Sequence, residues 1–224
     1  MRLTIFGATG GIGRGILEQA LREGHDVTAV ARDPGKVTAH ARVAAIDLSA
    51  PDRASLEASV AGADAVLSAL GPRSRSDAGI ASKGTRAIVD AMQVTGARRI
   101  VVVSAAPIGT VPSPDRPAPP KHDPGDGFFM RHLFAPIARA LFREHYADLA
   151  VMEDVVRDSG LDWTIVRPPR LTERPFTGRY RVAHGRNLRG GFSVSRADVA
   201  DLMLRVLGEP GTVKEVLGIA GSTL

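Results

Sequence analysis

The amino-acid sequence predicts an α/β fold in which a doubly wound parallel sheet has helices on both faces. Short apolar runs alternate along the chain with longer segments whose apolar residues recur at helical spacing. The short runs are continuously apolar, as expected of strands that are buried on both faces. The chain has 224 residues, of which 44% are hydrophobic, so it is long enough to form one domain with a sizeable core.

The predicted elements alternate between strand and helix from the N-terminus onward. Strands are predicted over Leu3–Phe6, Val27–Ala31, Val43–Ile46, Ala65–Ser68, Ile100–Val103, Thr164–Val166 and, as the closing strand, Val213–Ile219. Helices are predicted over Ile12–Arg22, Arg53–Val60, Ser82–Val94, Phe128–Asp158 and Arg196–Leu207.

Two segments interrupt this alternation. Residues 107–124 contain seven prolines, which exclude regular secondary structure. The insertion that contains them, at about 105–127, is either a lid over a ligand site or a surface insertion. The loop-rich stretch at about 167–196 is predicted to form a small C-terminal substrate lobe, within a single domain that spans residues 1–224.

A glycine-rich turn follows the first predicted strand and opens the first predicted helix. The turn consists of Gly7, Ala8, Thr9, Gly10, Gly11, Ile12 and Gly13. In such a turn the first glycine permits the tight bend, the second lets the backbone approach a pyrophosphate, and the third lets helix and strand pack closely. The helix N-terminus then offers free N–H groups and a positive dipole to the phosphates. The turn therefore predicts a dinucleotide-binding domain of the Rossmann type.

The end of the second strand indicates which dinucleotide is bound. Arg32 stands where an NAD-specific site usually places an acid, and its guanidinium can bind a 2′-phosphate through two hydrogen bonds. NADP(H) is therefore the preferred cofactor. Asp33 could instead turn inward, so the preference is not strict.

The ends of the third and fourth strands are also expected at the cofactor. Asp47 and Leu48 would lie beside the adenine. Ala69, Leu70 and Gly71 would flank the cofactor where a small backbone corner is needed. For both groups the alternative is an ordinary turn that ends a strand.

Further motifs match, in order, those of one protein family. The matching segments are Phe6–Gly10, Val30–Asp33, Gly84–Met92, Arg157–Leu161, Pro168–Pro169 and Pro175–Tyr180. Through them the chain resembles the atypical short-chain dehydrogenase/reductase group and is most similar to the biliverdin-IXβ reductase/flavin reductase family. The resemblance covers most of the chain. It implies NADP(H) binding, the strand order of a Rossmann sheet and reductase activity.

The resemblance also implies where the site residues stand. Ser104, which ends the fifth strand, would stand near the nicotinamide, and Pro168 and Pro169 would close the pocket from the other side. Two departures concern the substrate: Arg170 replaces the family's histidine after the double proline, and Leu149 replaces a histidine in the preceding helix. The cofactor site would be lined by Gly7 through Ile12, Arg32, Asp47, Leu48, Leu70, Gly71 and Arg73.

The Tyr-x-x-x-Lys pair of typical short-chain dehydrogenases is missing. In that pair the lysine lowers the tyrosine pKa so that the hydroxyl can exchange a proton. Tyr146 and Tyr180 are followed four residues later by Ala150 and His184. This argues against sugar epimerisation and ordinary alcohol oxidation. It leaves hydride transfer to an acceptor that needs little acid help, such as a flavin, a quinone or a linear tetrapyrrole.

Two functions therefore remain open. One is an NADPH-dependent reductase of conjugated acceptors, in which Ser104 is the plausible polar group at the reacting edge. The alternative for Ser104 is a hydroxyl that ends its strand by bonding backbone. The second function is a non-catalytic NADP(H)-binding sensor of the NmrA type, which resembles reductases but lacks the Tyr/Lys pair.

Composition excludes several other classes. The formal net charge is +5, yet the basic residues are mostly scattered and aromatic residues are 4%, so nucleic-acid binding is not expected. No apolar run is long enough for a membrane span, and a cytoplasmic protein, monomeric or homodimeric, is expected. Cysteine is absent, and the spacing of His122, His132, His145, Asp123 and Asp126 fits no metal site.

The stretch 167–196 contains eight arginines against a single acid, Glu173. Arginines at the substrate edge of the sheet could attract an anionic acceptor and hold its phosphate or carboxylate groups. Arg170 is the best placed, directly after the double proline. The alternative is that these side chains are simply solvated on a surface loop.

Overall fold

The computed structural model describes residues 1–37, 40–72, 77–127 and 141–222. The strands are β1 Arg2–Phe6, β2 Asp26–Ala31, β3 Arg42–Ala45, β4 Ala65–Ser68, β5 Arg99–Val103, β6 Asp162–Arg167, β7 Arg170–Thr172, β8 Tyr180–His184, β9 Ser193–Ser195 and β10 Glu215–Gly221. The α-helices of the described residues are α1 Gly11–Arg22, α2 Arg53–Val60, α3 Ile80–Thr95, α4 Arg143–Asp158 and α5 Arg196–Arg205.

The central sheet has the strand order β3-β2-β1-β4-β5-β6-β10-β8. Its neighbouring strands are parallel, except that β8 is antiparallel to β10. The chain moves outward from β1 to β3 and then crosses back to β4, so the strand order reverses between β1 and β4. In such sheets, ligands bind outside the carboxyl ends of the strands at this reversal. The predicted Rossmann-type α/β fold is confirmed.

Helices cover both faces of the sheet and enclose two hydrophobic cores. On β1, Leu3 and Ile5 pack into one core and Phe6 packs into the other, because successive side chains of a strand point to opposite faces. Helices α1 and α5 cover the first face, and α2, α3 and α4 cover the second. This burial on both sides explains why the apolar runs in the sequence are continuous.

The stretch 167–196 is more ordered than its loop-like sequence indicates. β7 and β9 pair with each other in a separate two-stranded parallel sheet, whereas β8 joins the edge of the central sheet. The sequence analysis did not predict β8. Its side chains are at most half-buried, and an edge strand of this kind lacks the continuous apolar run of a buried strand.

The proline-rich insertion packs closely on the rest of the chain. It contains a short 3₁₀ helix, Ala106–Thr110, which the prolines tolerate because Pro107 lies in its first turn. Farther along, the buried Asp123 accepts a hydrogen bond from the backbone N–H of Asn187 at 2.8 Å. Through this bond the insertion is attached to the stretch 167–196.

The predicted helical region Phe128–Asp158 is described only in its later part, because residues 128–140 lie outside the described residues. Within the described ranges, no helix is both long and apolar enough to cross a membrane.

Candidate cofactor and active site

A cavity of about 350 Å³ lies at the carboxyl ends of β1 to β5, where the strand order reverses. Its volume falls in the range of small-molecule sites. Its lining combines the glycine turn, the ends of four strands and residues of α3, α4 and α5. The lining residues are Gly7, Thr9, Gly10, Gly11, Ile12, Val30, Ala31, Arg32, Ile46, Asp47, Leu48, Ala69, Leu70, Gly71, Pro72, Asp77, Ile80, Val103, Ser104, His145, Leu149, Leu171 and Arg196.

The glycine turn needs its glycines for two different reasons. Gly7 has a φ of +73°, and a Cβ there would lie 2.6 Å from the carbonyl oxygen of Ala69. A Cβ on Gly13 would lie 2.1 Å from the carbonyl oxygen of Gly7, so this glycine permits the close packing of α1 on the turn. Gly13 and the buried Ala8 support the turn from behind and are not among the lining residues.

The N-terminus of α1 opens toward the cavity. Its N-cap is Gly10, which has no side chain to accept hydrogen bonds from the first N–H groups of the helix. Those N–H groups and the helix dipole are therefore available to an anion. This end of α1 can hold the pyrophosphate of a dinucleotide.

Arg32 lines the cavity at the end of β2, on the side of the sheet expected for the adenosine. Its guanidinium donates two hydrogen bonds to the carboxylate of Asp77, at 3.0 and 3.4 Å. Asp33 turns away instead: its carboxylate accepts a hydrogen bond from the N–H of Gly35 and pairs with Lys36. The inward Asp33 that would favour NAD is therefore not seen. Arg73, which was expected to line the cofactor site, lies outside the described residues.

Asp47 and Leu48 line the same side of the cavity. Hydrogen bonds from the N–H and the hydroxyl of Ser49 hold the carboxylate of Asp47 and lower the pKa of that carboxyl. Asp47 is thus a fixed anion that can accept hydrogen bonds from ligand hydroxyls.

Ser104 lies at the other end of the cavity, at the end of β5. Its hydroxyl donates a 2.7 Å hydrogen bond to Glu153 of α4, not to backbone. Glu153 is fully buried and is held by two arginines: Arg167 donates two hydrogen bonds to it and Arg157 donates one. Burial raises the pKa of Glu153, but the charges of Arg167 and Arg157 and the hydrogen bonds from Arg167 and Ser104 together outweigh this effect and leave the pKa lowered.

This network limits what Ser104 can do. An ionised carboxylate can only accept hydrogen bonds, so the single hydroxyl proton of Ser104 points to Glu153. Ser104 then presents only lone pairs to the cavity. It can accept a hydrogen bond from a ligand and position it, but it is not set up to donate a proton.

Two further cavity residues lie on α4: His145, which was considered from the sequence only as a metal ligand, and Leu149, which replaces a histidine of the family. His145 and Leu149 are four residues apart, lie on the same face of the helix and both line the cavity. The Nδ1 atom of His145 is buried and has no hydrogen-bond partner among the described residues. Burial lowers the pKa of His145, and the carboxylate of Asp148 partly opposes this shift.

Arg196 is a third cavity residue that the sequence analysis did not assign to the cofactor. It is the first residue of α5 and passes so close to the glycine turn that a Cβ on Gly11 would lie 2.5 Å from its Cδ. Its guanidinium pairs with Glu173. Arg196 therefore brings a positive charge to the place where the pyrophosphate is expected. No local sequence signal reveals it, because the contact arises from the packing of α1 against α5.

The double proline, which was expected to close the pocket, is not among the residues that line this cavity. Pro168 is buried after β6, and Pro169 lines a separate cavity of about 30 Å³. Arg170 is exposed and is not among the lining residues, whereas Leu171 is. The reason is the alternation of side chains along β7, which turns Leu171 inward and Arg170 to solvent.

Fold and cavity together define a Rossmann-type protein with a dinucleotide site. A family model described as NAD(P)H-binding matches residues 7–210. The chain belongs to this NAD(P)H-binding family.

Among the curated proteins, one relative with higher identity matches about half of the chain. An uncharacterised protein of Mycobacterium tuberculosis is 36% identical over 106 residues, which are 47% of this chain and 12% of that protein. The matched stretch is therefore a small part of a much longer relative.

Several solved structures share the fold along nearly the whole chain. The oxidoreductase ylbE from Lactococcus lactis is similar with a TM-score of 0.79 and 18% identity, covering 100% of this chain and 92% of that one. The anaerobillin reductase ChuY from Escherichia coli O157:H7 has a TM-score of 0.77 and 24% identity, covering 100% and 98%. A putative NADH-flavin reductase from Streptococcus pneumoniae has a TM-score of 0.72 and 24% identity, covering 99% and 100%.

Proposed function

We propose that the chain is an NADPH-dependent oxidoreductase that transfers a hydride to a flavin, a quinone or a tetrapyrrole-like acceptor. The observation that supports it most directly is the buried network behind Ser104. Burying a carboxylate with two arginines is costly to stability compared with apolar packing. Such a network is well explained if its purpose is to hold the Ser104 oxygen in one orientation at the end of a dinucleotide cavity.

In this proposal the two ends of the cavity have different tasks. NADPH supplies the hydride when bound. The N-terminus of α1 and Arg196 hold its pyrophosphate, and the lone pairs of Ser104 accept a hydrogen bond from its carboxamide. Leu149 and Leu171 give the remaining wall an apolar surface that suits a flat conjugated acceptor and excludes water.

The proposed preference for NADPH over NADH rests on Arg32. Its side chain is 47% exposed, and its pair with Asp77 is of the weak surface kind. A 2′-phosphate carries more charge than a carboxylate and can replace Asp77 as the bidentate partner. The proposal therefore treats Asp77 as the group that holds Arg32 in place until the phosphate binds.

The acceptor class is suggested by two of the structural neighbours, an anaerobillin reductase and a putative NADH-flavin reductase. At 24% identity these proteins do not define the acceptor of this chain. They suggest only which kinds of acceptor to test. We further propose that the protein acts in the cytoplasm, without a nucleic-acid or membrane partner.

The alternative is a non-catalytic NADP(H) sensor of the NmrA type, because the lack of a Tyr/Lys pair among the described lining residues is compatible with either function. The two proposals separate in one experiment. NADPH binding is measured by fluorescence titration, and NADPH oxidation is then followed with FMN, riboflavin, menadione and biliverdin. Turnover with any of these supports the reductase. Tight binding without turnover on any acceptor supports the sensor, and failure to bind NADPH refutes both.

A further inference from the structure

We propose that His145, on the face of α4 that lines the cavity, donates the proton that accompanies hydride transfer. This inference rests on the proposed reductase function and adds a catalytic residue to it. It follows from the placement of α4, the unpaired ring nitrogen of His145 and the engagement of the other polar groups around the cavity.

One face of α4 follows the cavity. His145, Leu149 and Glu153 are spaced by four residues, so they lie in one row along the helix. Glu153 contacts Ser104 at the end of β5, and the other two line the cavity. With a rise of 1.5 Å per residue, His145 lies about 12 Å along the helix axis from Glu153. The row therefore extends from the positioning hydroxyl to a titratable ring within one ligand site.

The ring of His145 is held in place but incompletely hydrogen-bonded. Tyr146 packs beside it, with the ring centroids 5.9 Å apart. Its Nδ1 atom is buried without a partner among the described residues. Leaving a buried polar atom unpaired is costly, and such atoms in native proteins call for a ligand, a water or a functional role.

The other polar groups around the cavity are already engaged. The hydroxyl proton of Ser104 is donated to Glu153, Arg32 pairs with Asp77, and Arg196 pairs with Glu173. Asp47 is ionised and held by Ser49. Among the lining residues, His145 has the group that ordinarily changes its protonation near neutral pH.

A histidine can act as an acid here without a neighbouring lysine. A tyrosine has a pKa near 10 and needs a lysine beside it to bring that pKa within reach of neutral pH. An imidazole titrates near neutrality without that help. The apolar Leu149, one turn farther along α4, is therefore compatible with acid catalysis by His145, and its side chain joins the hydrophobic core.

The proposed step couples the transfer of a hydride to the transfer of a proton. The C4–H bond of the reduced nicotinamide breaks, and its hydride forms a new bond to the acceptor, which is reduced as the cofactor is oxidised. Charge builds on an acceptor oxygen or nitrogen conjugated to that position. The imidazolium of His145 gives its proton to this atom and is protonated again from water.

The pH dependence follows from the surroundings of His145. Burial lowers its pKa below the usual 6.5, and Asp148 of the same helix partly raises it. Because the acid form must be present, the rate should be highest below this pKa and fall as pH rises through it, by about tenfold per pH unit. Asp148 itself is held by the backbone N–H groups of Ala81 and Ser82 at the start of α3. The other charged groups that line the cavity are Arg32 after β2, Asp47 after β3, Asp77 before α3 and Arg196 on α5.

The test compares wild type with His145→Gln, which keeps a hydrogen-bonding side chain but does not titrate. Single-turnover oxidation of NADPH is measured with FMN and with menadione across the pH range, and the NADPH Kd is measured alongside. We expect His145→Gln to lower the rate by about 10²-fold at mildly acidic pH and to remove the fall in rate with rising pH. The NADPH Kd should change by less than about twofold, because the proposed contact is to the acceptor.

Tyr146→Phe is the matched control. It alters the neighbouring ring but is not among the cavity-lining residues, so its rate and profile should equal those of wild type. A wild-type rate that does not fall with rising pH would overturn the inference without any variant. A His145→Gln protein with the wild-type rate and pH profile would also overturn the inference. Its turnover would still support the reductase proposal. Absence of turnover in wild type, despite tight NADPH binding, would overturn both.

Discussion

Replacing Arg32 with alanine should weaken the binding of NADPH and leave that of NADH nearly unchanged. The structure places the Arg32 guanidinium at the cavity wall after β2, paired with Asp77. A 2′-phosphate at this point would gain a bidentate, charge-assisted contact that NADH lacks. The loss of affinity should therefore appear only with NADPH, which carries the 2′-phosphate.

The magnitude can be worked out from the two contacts that compete. Hydrogen bonds to a charged group are worth about 1.5–3 kcal/mol. Giving up the pair with Asp77 costs about 0.2–1 kcal/mol, because the Arg32 side chain is 47% exposed and the pair is partly screened. The net gain of about 0.5–2.8 kcal/mol corresponds to a preference of roughly 2-fold to 100-fold for NADPH.

The assay is a fluorescence titration of both cofactors into wild type, Arg32→Ala, Asp77→Asn and the double variant. Asp77→Asn frees Arg32 and should raise NADPH affinity by no more than about fivefold. In the Arg32→Ala background this gain should shrink, and added salt should reduce the wild-type preference. Equal affinity of wild type for the two cofactors, or an equal loss of both in Arg32→Ala, would refute the reasoning.

Three further predictions concern other parts of the site. Arg196→Ala should weaken the binding of NADH and NADPH by the same factor, about tenfold, in the same titration, because Arg196 lies beside the glycine turn where the pyrophosphate of either cofactor is expected; a loss confined to NADPH would contradict this. Glu153→Gln should destabilise the fold by about 3–5 kcal/mol in urea unfolding at neutral pH, because two arginines lose their buried partner. The lowered pKa of Glu153 means that its contribution is present above the unfolded value of 4.5 and lost as pH falls through the folded pKa, so the variant should show a weaker acid dependence than wild type. Gly13→Ala should abolish NADPH binding or prevent folding, because the added Cβ would lie 2.1 Å from the Gly7 carbonyl oxygen. Near-normal NADPH binding by a folded variant would contradict this and show that the backbone of the turn can shift.

The fold was predictable from the sequence because its signals are local. A buried parallel strand is a continuous apolar run, and the runs at β1, β4 and β5 were each located to within one residue of their ends. β8 was not predicted because it lacks such a run. An edge strand with half-exposed side chains has no such run, and only its pairing with β10 gives it a regular conformation.

For the candidate site, the sequence by itself determined which residues follow the predicted strands. The glycine turn, Arg32 and Ser104 each end a strand, and the carboxyl ends of parallel strands meet at one edge of the sheet. The tertiary structure alone decided how their side chains are engaged. Ser104 donates to a carboxylate 49 residues away, and Arg196 reaches the glycine turn from α5. Strand alternation turned Leu171 inward in place of Arg170, and the packing of α4 brought His145 into the cavity. Hydrogen-bond partners and side-chain direction depend on which elements pack together, so no local pattern in the sequence contains them.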